Sequence, residues 1–245
     1  MNESDYLTKS GDLTVLIPAF DELANLRVLI PKVIAVTQGL TGVQSHIIVV
    51  LPSFASPSES SEINALGAIS IIREPTDSFG NAIRSGFAAI GASTEFIITM
   101  DADGSHNPAL IPSLLENATR AHIVSASRYL PGGSSDAKRR QQMMSRIVNL
   151  AFTIVLGEKI YDISGNYKLY RRSIISQLVL TGKNFDVIQE LVFKTKKLTG
   201  NNFKLIEVPY RWNERFSGKP KRKLIPYIFS YCQMLLRFVI LRLKG

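Results

Sequence analysis

The chain has 245 residues, 45% of them hydrophobic, with a mean hydropathy of +0.10. That suits one large α/β domain or two small ones and excludes a disordered chain. Cys232 is the only cysteine, which excludes an internal disulfide and a cysteine zinc site and fits a reducing compartment. The net charge of +9 is unevenly placed: residues 1–122 hold 6 Lys and Arg against 13 Asp and Glu, residues 123–245 hold 23 against 7. A basic half of this kind faces something anionic, such as nucleic acid, phosphorylated lipid or a membrane surface. Met1 to Asp12 is polar, carries Glu3, Asp5 and Asp12, and lacks the basic and apolar regions of a signal peptide.

In chain order, Leu13-Thr14-Val15-Leu16-Ile17 is a β-rich run stopped by Pro18. From Leu23 to Val36, Leu23, Leu26, Leu29, Ile30, Val33 and Ile34 recur at helical spacing. Asp21 and Glu22 precede them, where the helix dipole favours acids. His46 to Leu51 reads as a second buried strand, followed by the loop Pro52 to Ser58, a short helix from Glu59 to Leu66 and a third strand from Ala68 to Arg73. Gly80 to Ala92 reads as a helix whose small residues permit close packing on a sheet. Without a P-loop lysine, Gly80 is read as a packing glycine rather than a phosphate cradle. Glu95 to Met100 is a strand, Pro108 to Arg120 a helix and His122 to Ser127 a further strand. Strands alternating with helices predict a parallel, doubly wound sheet.

The strand ending at Met100 runs into Asp101-Ala102-Asp103-Gly104-Ser105-His106. On extended backbone, residues i and i+2 point the same way, so both carboxylates can face one point at the strand's carboxyl end. Open α/β sheets keep their ligands there, and two hard oxygen donors suit Mg²⁺ or Mn²⁺ bound together with substrate phosphates. The bland alternative is a polar turn after a strand, with Asp103-Gly104 as its turn residues.

Past Ser127 the character changes. Arg128 to Ser135 is a glycine-bearing loop, followed by Lys138-Arg139-Arg140 and an amphipathic helix from Gln141 to Leu156. Lys168-Leu169-Tyr170-Arg171-Arg172 starts another basic segment, and Phe203 to Pro209 reads as a late strand. Arg215, Lys219, Lys221, Arg222 and Lys223 form a basic loop. In the apolar tail, Ile225 to Leu243, the longest uncharged run, Ile225 to Leu236, falls short of the ~20 residues a spanning helix needs. The tail therefore reads as a helix lying in a membrane interface, or as one packed on the protein's own core.

Several segments together resemble a known family in order. Pro18-Ala19-Phe20-Asp21-Glu22-Leu23-Ala24-Asn25-Leu26 is similar to its opening P-x-[YF]-N-E-x-x-N-L, and Gly80 to Gly86 to its G-x-A-x-x-x-G helix. Met100 to Pro108 is similar to M-D-A-D-x-S-H-x-P, and Ser127-Arg128-Tyr129 to S-R-Y. Asp162 to Arg171 is similar to D-x-[ST]-G-x-[FY]-[RK]-x-Y-R, and Glu207-Val208-Pro209 with Arg215 to Gly218 to E-V-P followed by R-x-x-G. Over roughly residues 13–224 the chain resembles a family 2 glycosyltransferase of the dolichol-phosphate mannose synthase-like, polyprenyl-phosphate branch. The resemblance implies an α/β GT-A fold, with a mostly parallel doubly wound sheet, over residues 13–224. It leaves residues 1–12 as a tail and residues 225–245 as an amphipathic membrane-interface segment.

The resemblance also implies roles. Asp101 and Asp103, with Ser105, would hold a Mg²⁺ or Mn²⁺ ion bridging the donor diphosphate. Pro18, Ala19, Phe20, Glu22, Leu51 and Ala102 would line the site of a GDP- or UDP-linked sugar. Arg128, Arg140, Ser145, Arg215 and Lys221 would meet the acceptor phosphate, with Arg128 and Arg215 closest to the reaction. A phosphomonoester carries close to two negative charges at neutral pH and needs no strong general base, so Asp162 is equally readable as a loop-orienting residue. The implied partners are a nucleotide sugar, a polyprenyl phosphate and the anionic cytoplasmic face of a membrane. A membrane-protein partner or a second copy is compatible with this, and nucleic acid is not expected. Two places depart from the family pattern. The second strand ends in Leu51-Pro52-Ser53-Phe54 where the family has Asp-Asp-Gly-Ser, and Gln141 stands where an arginine precedes Ser145 by four. The first departure predicts either weak binding of guanosine and uridine donors or a nucleoside held by other groups, such as Ser53. It also opens a second reading, a catalytically weak member serving as a partner subunit or lipid-phosphate binder.

Overall fold

The computed structural model describes residues 12–217, 234–236 and 238. The chain-order elements are strand β1 (Asp12–Pro18), helix α1 (Leu23–Gln38), β2 (Ser45–Leu51), α2 (Pro57–Ala65), β3 (Ile69–Ile72), α3 (Phe79–Ala88) and β4 (Thr94–Thr99). Next come α4 (Ile111–Glu116), β5 (Ile123–Ser127), β6 (Ser134–Ser135), α5 (Arg139–Leu156), β7 (Lys168–Arg171), α6 (Arg172–Ile175), α7 (Asp186–Thr199), β8 (Leu205–Pro209) and β9 (Arg211–Trp212). The expected helix over Pro108 to Arg120 is a 3-10 turn at Pro108–Leu110, then α4, then a second 3-10 turn at Ala118–Arg120. Pro112 sits inside this run, lacks an N–H and fits only a first helical turn, so helix starts there instead of continuing.

Seven strands form one sheet in the order β3-β2-β1-β4-β7-β5-β8, and β6 and β9 form a small second sheet. All neighbours in the large sheet pair in parallel except β7, which is antiparallel to both β4 and β5. The sheet is therefore mostly parallel, as expected, but the basic segment starting at Lys168 is a strand in its middle. Alternation along the strands builds two cores. Val15, Ile17, Val49, Leu51 and Ile98 meet α1, α2 and α4 on one face, and Leu16, Ile48, Val50 and Ile97 meet α3, α5, α6 and α7 on the other. Met234 and Phe238 belong to the second core, where Phe238 stacks on Phe193 at 4.1 Å. Residues 1–11, Lys221, the rest of the basic cluster at 219–223 and the remainder of the 225–245 tail lie outside the described residues.

The reversed strand decides what stands beside the carboxylate pair. Thr99 of β4 pairs with Lys168 of β7, so the residues leading into β7 lie next to those leaving β4. Lys168 also pairs with Ser125 of β5, so the same segment lies beside Arg128. Gly80 confirms its packing role: it opens α3 where a Cβ would come within 2.0 Å of the Gly182 carbonyl oxygen.

Candidate active site

A cavity of about 310 Å³ opens at the carboxyl ends of β1 and β4. Pro18, Ala19, Phe20, Glu22, Asp101, Ala102, Asp103 and Arg215 line it, which brings eight of the sequence-derived site residues together. Arg73, Asp77, Ser78, Phe79, Asn184 and Phe185 complete the wall and carried no expected role. Of these, Phe79 and Phe185 stack at 4.2 Å and join the start of α3 to the loop before α7.

The DxD loop is held from below. The Asp101 N–H donates to His106 Nδ1 at 2.9 Å, so a neutral His106 ring carries its proton on Nε2, which lies 3.7 Å from Asp101 Oδ2. His106 is buried, stacked on Tyr167 at 4.9 Å. Asn166, placed here by β7, donates to Asp101 Oδ1 at 3.0 Å. Asp103 Oδ1 accepts the Ser105 N–H at 3.0 Å, closing a short turn through Gly104 at φ +81°. A Cβ on Gly104 would lie 2.3 Å from the Phe216 ring, because the Phe216 N–H donates to the Asp103 carbonyl and seats the incoming segment on the loop. That seating delivers Arg215, whose Nη2 donates to Glu22 Oε1 at 2.6 Å, while Asn25 donates to the other Glu22 oxygen.

Asp101 and Asp103, which line the cavity, fit a divalent cation. The Ser105 Oγ is buried with no hydrogen-bond partner, and Ser105 does not line the cavity. Among the described residues no cluster of three or more His, Cys, Asp or Glu could cage a metal alone. The set therefore suits an ion that takes the rest of its shell from phosphate and water, as Mg²⁺ does.

Arg128 stands apart from the cavity. Its Nε and Nη2 grip both oxygens of Asp162 at 2.7 and 2.8 Å, and Nη2 also reaches Ser164 Oγ at 2.9 Å. Asp162 is fully buried. Burial pushes its carboxyl up, but the Arg128 guanidinium outweighs that and holds it below its ordinary value. Glu207 accepts the Tyr161 and Asp162 N–H groups, both at 2.8 Å, which fixes the loop that carries Asp162. Asp162 is thus an orienting residue. Arg140 is exposed and Ser145 half-buried on α5, and neither lines the cavity. Leu51 is corrected: its side chain is fully buried in the first core, because the last inward position of β2 faces α1 rather than the sheet's end. His106, Asn166 and Glu207 lay inside the matched motifs, but sequence alone did not show what they touch.

A mostly parallel sheet with a carboxylate pair over a cleft at the end of a central strand is the architecture of a GT-A-type nucleotide-diphospho-sugar transferase. Residues 14–179 match "Glycosyl transferase family 2", and the chain belongs to that family. An undecaprenyl-phosphate mannosyltransferase of Micrococcus luteus is 30% identical over 154 residues, spanning 61% of this chain and 62% of that protein, less than two thirds of its length. A polyprenol monophosphomannose synthase of Mycolicibacterium smegmatis is 28% identical over 217 residues, 84% of this chain and 79% of that protein. In fold, the chain is similar to glucosyl-3-phosphoglycerate synthase from Mycobacterium tuberculosis solved with Mn²⁺, UDP and phosphoglyceric acid. The TM-score is 0.72 at 17% identity, covering 96% of this chain and 80% of that one.

Proposed function

We propose that this protein transfers a hexose, such as mannose, from a nucleotide sugar to a polyprenyl phosphate at a membrane surface. The observation that carries the reading is the cavity in which Asp101 and Asp103 meet Phe20, Glu22 and Arg215. The two relatives named for transfer to polyprenyl phosphates support the acceptor class. An acceptor phosphate oxygen attacks the anomeric carbon as the bond to the nucleoside diphosphate breaks, so configuration inverts. A Mg²⁺ or Mn²⁺ ion at Asp101 and Asp103 would offset charge on the departing diphosphate. Arg128, fixed by Asp162, would meet the acceptor phosphate from its side of the sheet, and Arg215 would approach from the cavity side. No described helix is long and apolar enough to cross a membrane. An interfacial site is supported by α5, where Met143, Ile147, Leu150 and Ile154 form an exposed apolar stripe behind basic Arg139 and Arg140.

The test is transfer of labelled sugar from GDP-mannose and a panel of UDP-sugars to polyprenyl phosphate with Mn²⁺, read as lipid-linked sugar. Wild type is expected to turn over, and Asp103→Asn to lose at least about a hundredfold while melting normally. Full transfer in EDTA ends the metal-dependent reading. Nucleotide binding without any transfer favours the second reading, a family member with little turnover.

A further inference from the structure

The end of β2 offers the cavity no acid. Leu51 is in the core, Pro52 is buried, and proline has no N–H to give. The residue after them does something else. The Ser53 N–H donates to Asp77 Oδ1 at 2.7 Å and the Ser53 hydroxyl to Asp77 Oδ2 at 2.5 Å. Asp77 comes from the loop between β3 and α3, and it lines the same cavity as Asp101 and Asp103. A carboxylate has about four acceptor sites, and Ser53 occupies two of them. The side chain remains 29% exposed. Arg73 is 3.9 Å away and is committed to the carbonyls of Leu51, Val50 and Ala19, so it steadies the charge without covering it. The Ser53 hydroxyl and N–H hold the Asp77 carboxyl below its ordinary value, so it is ionised and acceptor-only at neutral pH. The Phe20 ring also lines this cavity, 40% exposed, with the Arg73 guanidinium over it at 5.7 Å and Phe54 edge-on at 5.2 Å.

An apolar ring face beside an acceptor-only edge fits a flat heterocycle that carries N–H in its plane. We propose that Asp77, clamped by Ser53, accepts the ring N–H of the donor's nucleobase while the base lies against Phe20. This rests on the reading of the cavity as a nucleotide-sugar site. It assigns the base contact to a carboxylate from the β3–α3 loop in place of the one that β2 lacks. It also sets a rule for the base. Uracil carries hydrogen on N3 and guanine on N1, whereas the matching ring nitrogens of cytosine and adenine are acceptors that a carboxylate repels.

The experiment is calorimetric titration of the full chain, with Mn²⁺, against UDP, GDP, CDP, ADP and inorganic pyrophosphate. Wild type is expected to bind UDP or GDP at least about tenfold more tightly than CDP and ADP. In Asp77→Asn the amide oxygen keeps the Ser53 N–H and the amide nitrogen faces the base. That variant should lose about ten- to a hundredfold for UDP or GDP and narrow or invert the preference over CDP, with pyrophosphate unchanged. Ser53→Ala keeps the carboxylate and the backbone N–H that holds it but removes the hydroxyl, so it should weaken nucleotide binding while keeping the ranking of bases. A clamp that served only to hold two loops together would move neither ranking. If wild type binds nucleotides and Asp77→Asn binds them with unchanged affinity and ranking, the Asp77 assignment falls and the donor site stands. The assignment also falls if wild type binds all four bases alike. If wild type binds none of the nucleotides, the donor-site reading falls and takes the assignment with it.

Discussion

Two charged clusters sit at the same end of the sheet, on either side of the segment leading into β7. On the β1–β4 side, Glu22, Asp77, Asp101 and Asp103 line an open cavity. Asn25 and Arg215 donate to Glu22, the Ser53 N–H and hydroxyl to Asp77, Asn166 to Asp101 and the Ser105 N–H to Asp103, which orients the carboxylates without sealing them. On the β5–β8 side, Asp162 and Lys168 are fully buried, with the half-buried Arg128 closing over them. There every contact closes on another member: Arg128 on Asp162, Lys168 on the Asp162 and Gly165 carbonyls, and Glu207 on the backbone of the same loop. The same residue chemistry thus serves two ends. Where carboxylates keep acceptor sites facing a cavity they can bind a ligand. Where ion pairs satisfy each other in the interior they fix geometry, and their removal leaves a charge uncompensated.

The sharpest way to break that contrast is to remove one partner on each side. Arg128→Met takes the guanidinium from the buried Asp162 carboxylate and leaves it only the Arg128 and Gly165 N–H groups and the Ser164 hydroxyl, and breaking a buried pair of this kind costs about 3–5 kcal/mol. Asp103→Asn keeps an oxygen for the Ser105 N–H and should change stability by no more than about 0.5 kcal/mol. Urea unfolding followed by circular dichroism measures both. Equal losses would show that the cavity side is as tightly built as the buried side.

Lys168 sharpens the contrast through pH. Burial pushes its amine down from 10.5 to about 8, against the pull of Asp162 and Glu207. Below pH 8 both folded and unfolded chains carry the proton, and above 10.5 neither does. Between the two the unfolded chain binds a proton that the folded chain does not, so this group makes stability rise with pH. The rise amounts to on the order of 3 kcal/mol over the window. Lys168→Met should flatten that slope relative to wild type in urea titrations at pH 8.0, 9.0 and 10.0. An unchanged slope would mean that Lys168 is solvated in the native state.

The contrast was only half legible in the sequence. The parallel frame could be read because β1, β2 and β4 are continuous apolar runs and α1 keeps a helical period. Asp101 and Asp103 were legible because a strand end fixes where they point. β7 was not, since Lys168-Leu169-Tyr170-Arg171 is four residues long and carries two cations, which reads as a solvated segment. Its lysine is buried only because the turn at 162–165 turns two carbonyls toward it, a contact that no local pattern encodes. α7 passed unread in the sequence, although Val187, Ile188, Leu191 and Val192 are its core face. Leu51 was assigned to the ligand because it stands where the family places an acid at the end of the second strand, and strand alternation sent its side chain to the core instead. Asp77 lay unmarked in a loop, 24 residues from the serine that aims it.

A modest effect is expected where the two designs meet, at the Arg215–Glu22 pair. Its side chains are 17% and 11% exposed, between the sealed Asp162 and the open Asp77. Arg215 also donates Nε to the Ser217 carbonyl at 2.7 Å, and Glu22 keeps Asn25 as a second donor. Neither group is abandoned when the other is removed, because Glu22 retains the Asn25 hydrogen bond and faces the cavity. Arg215→Gln should therefore cost only about 1 kcal/mol in urea unfolding, the level of a partly solvated charge pair. A double-mutant cycle with Glu22→Gln should return a coupling of about the same size, since the two side chains touch. A coupling of about 3 kcal/mol or more would place Arg215 with the buried scaffold. A coupling near zero would mean that Phe216 and the backbone hold the incoming segment on the DxD loop, and that Arg215 is left to meet whatever anion enters the cavity.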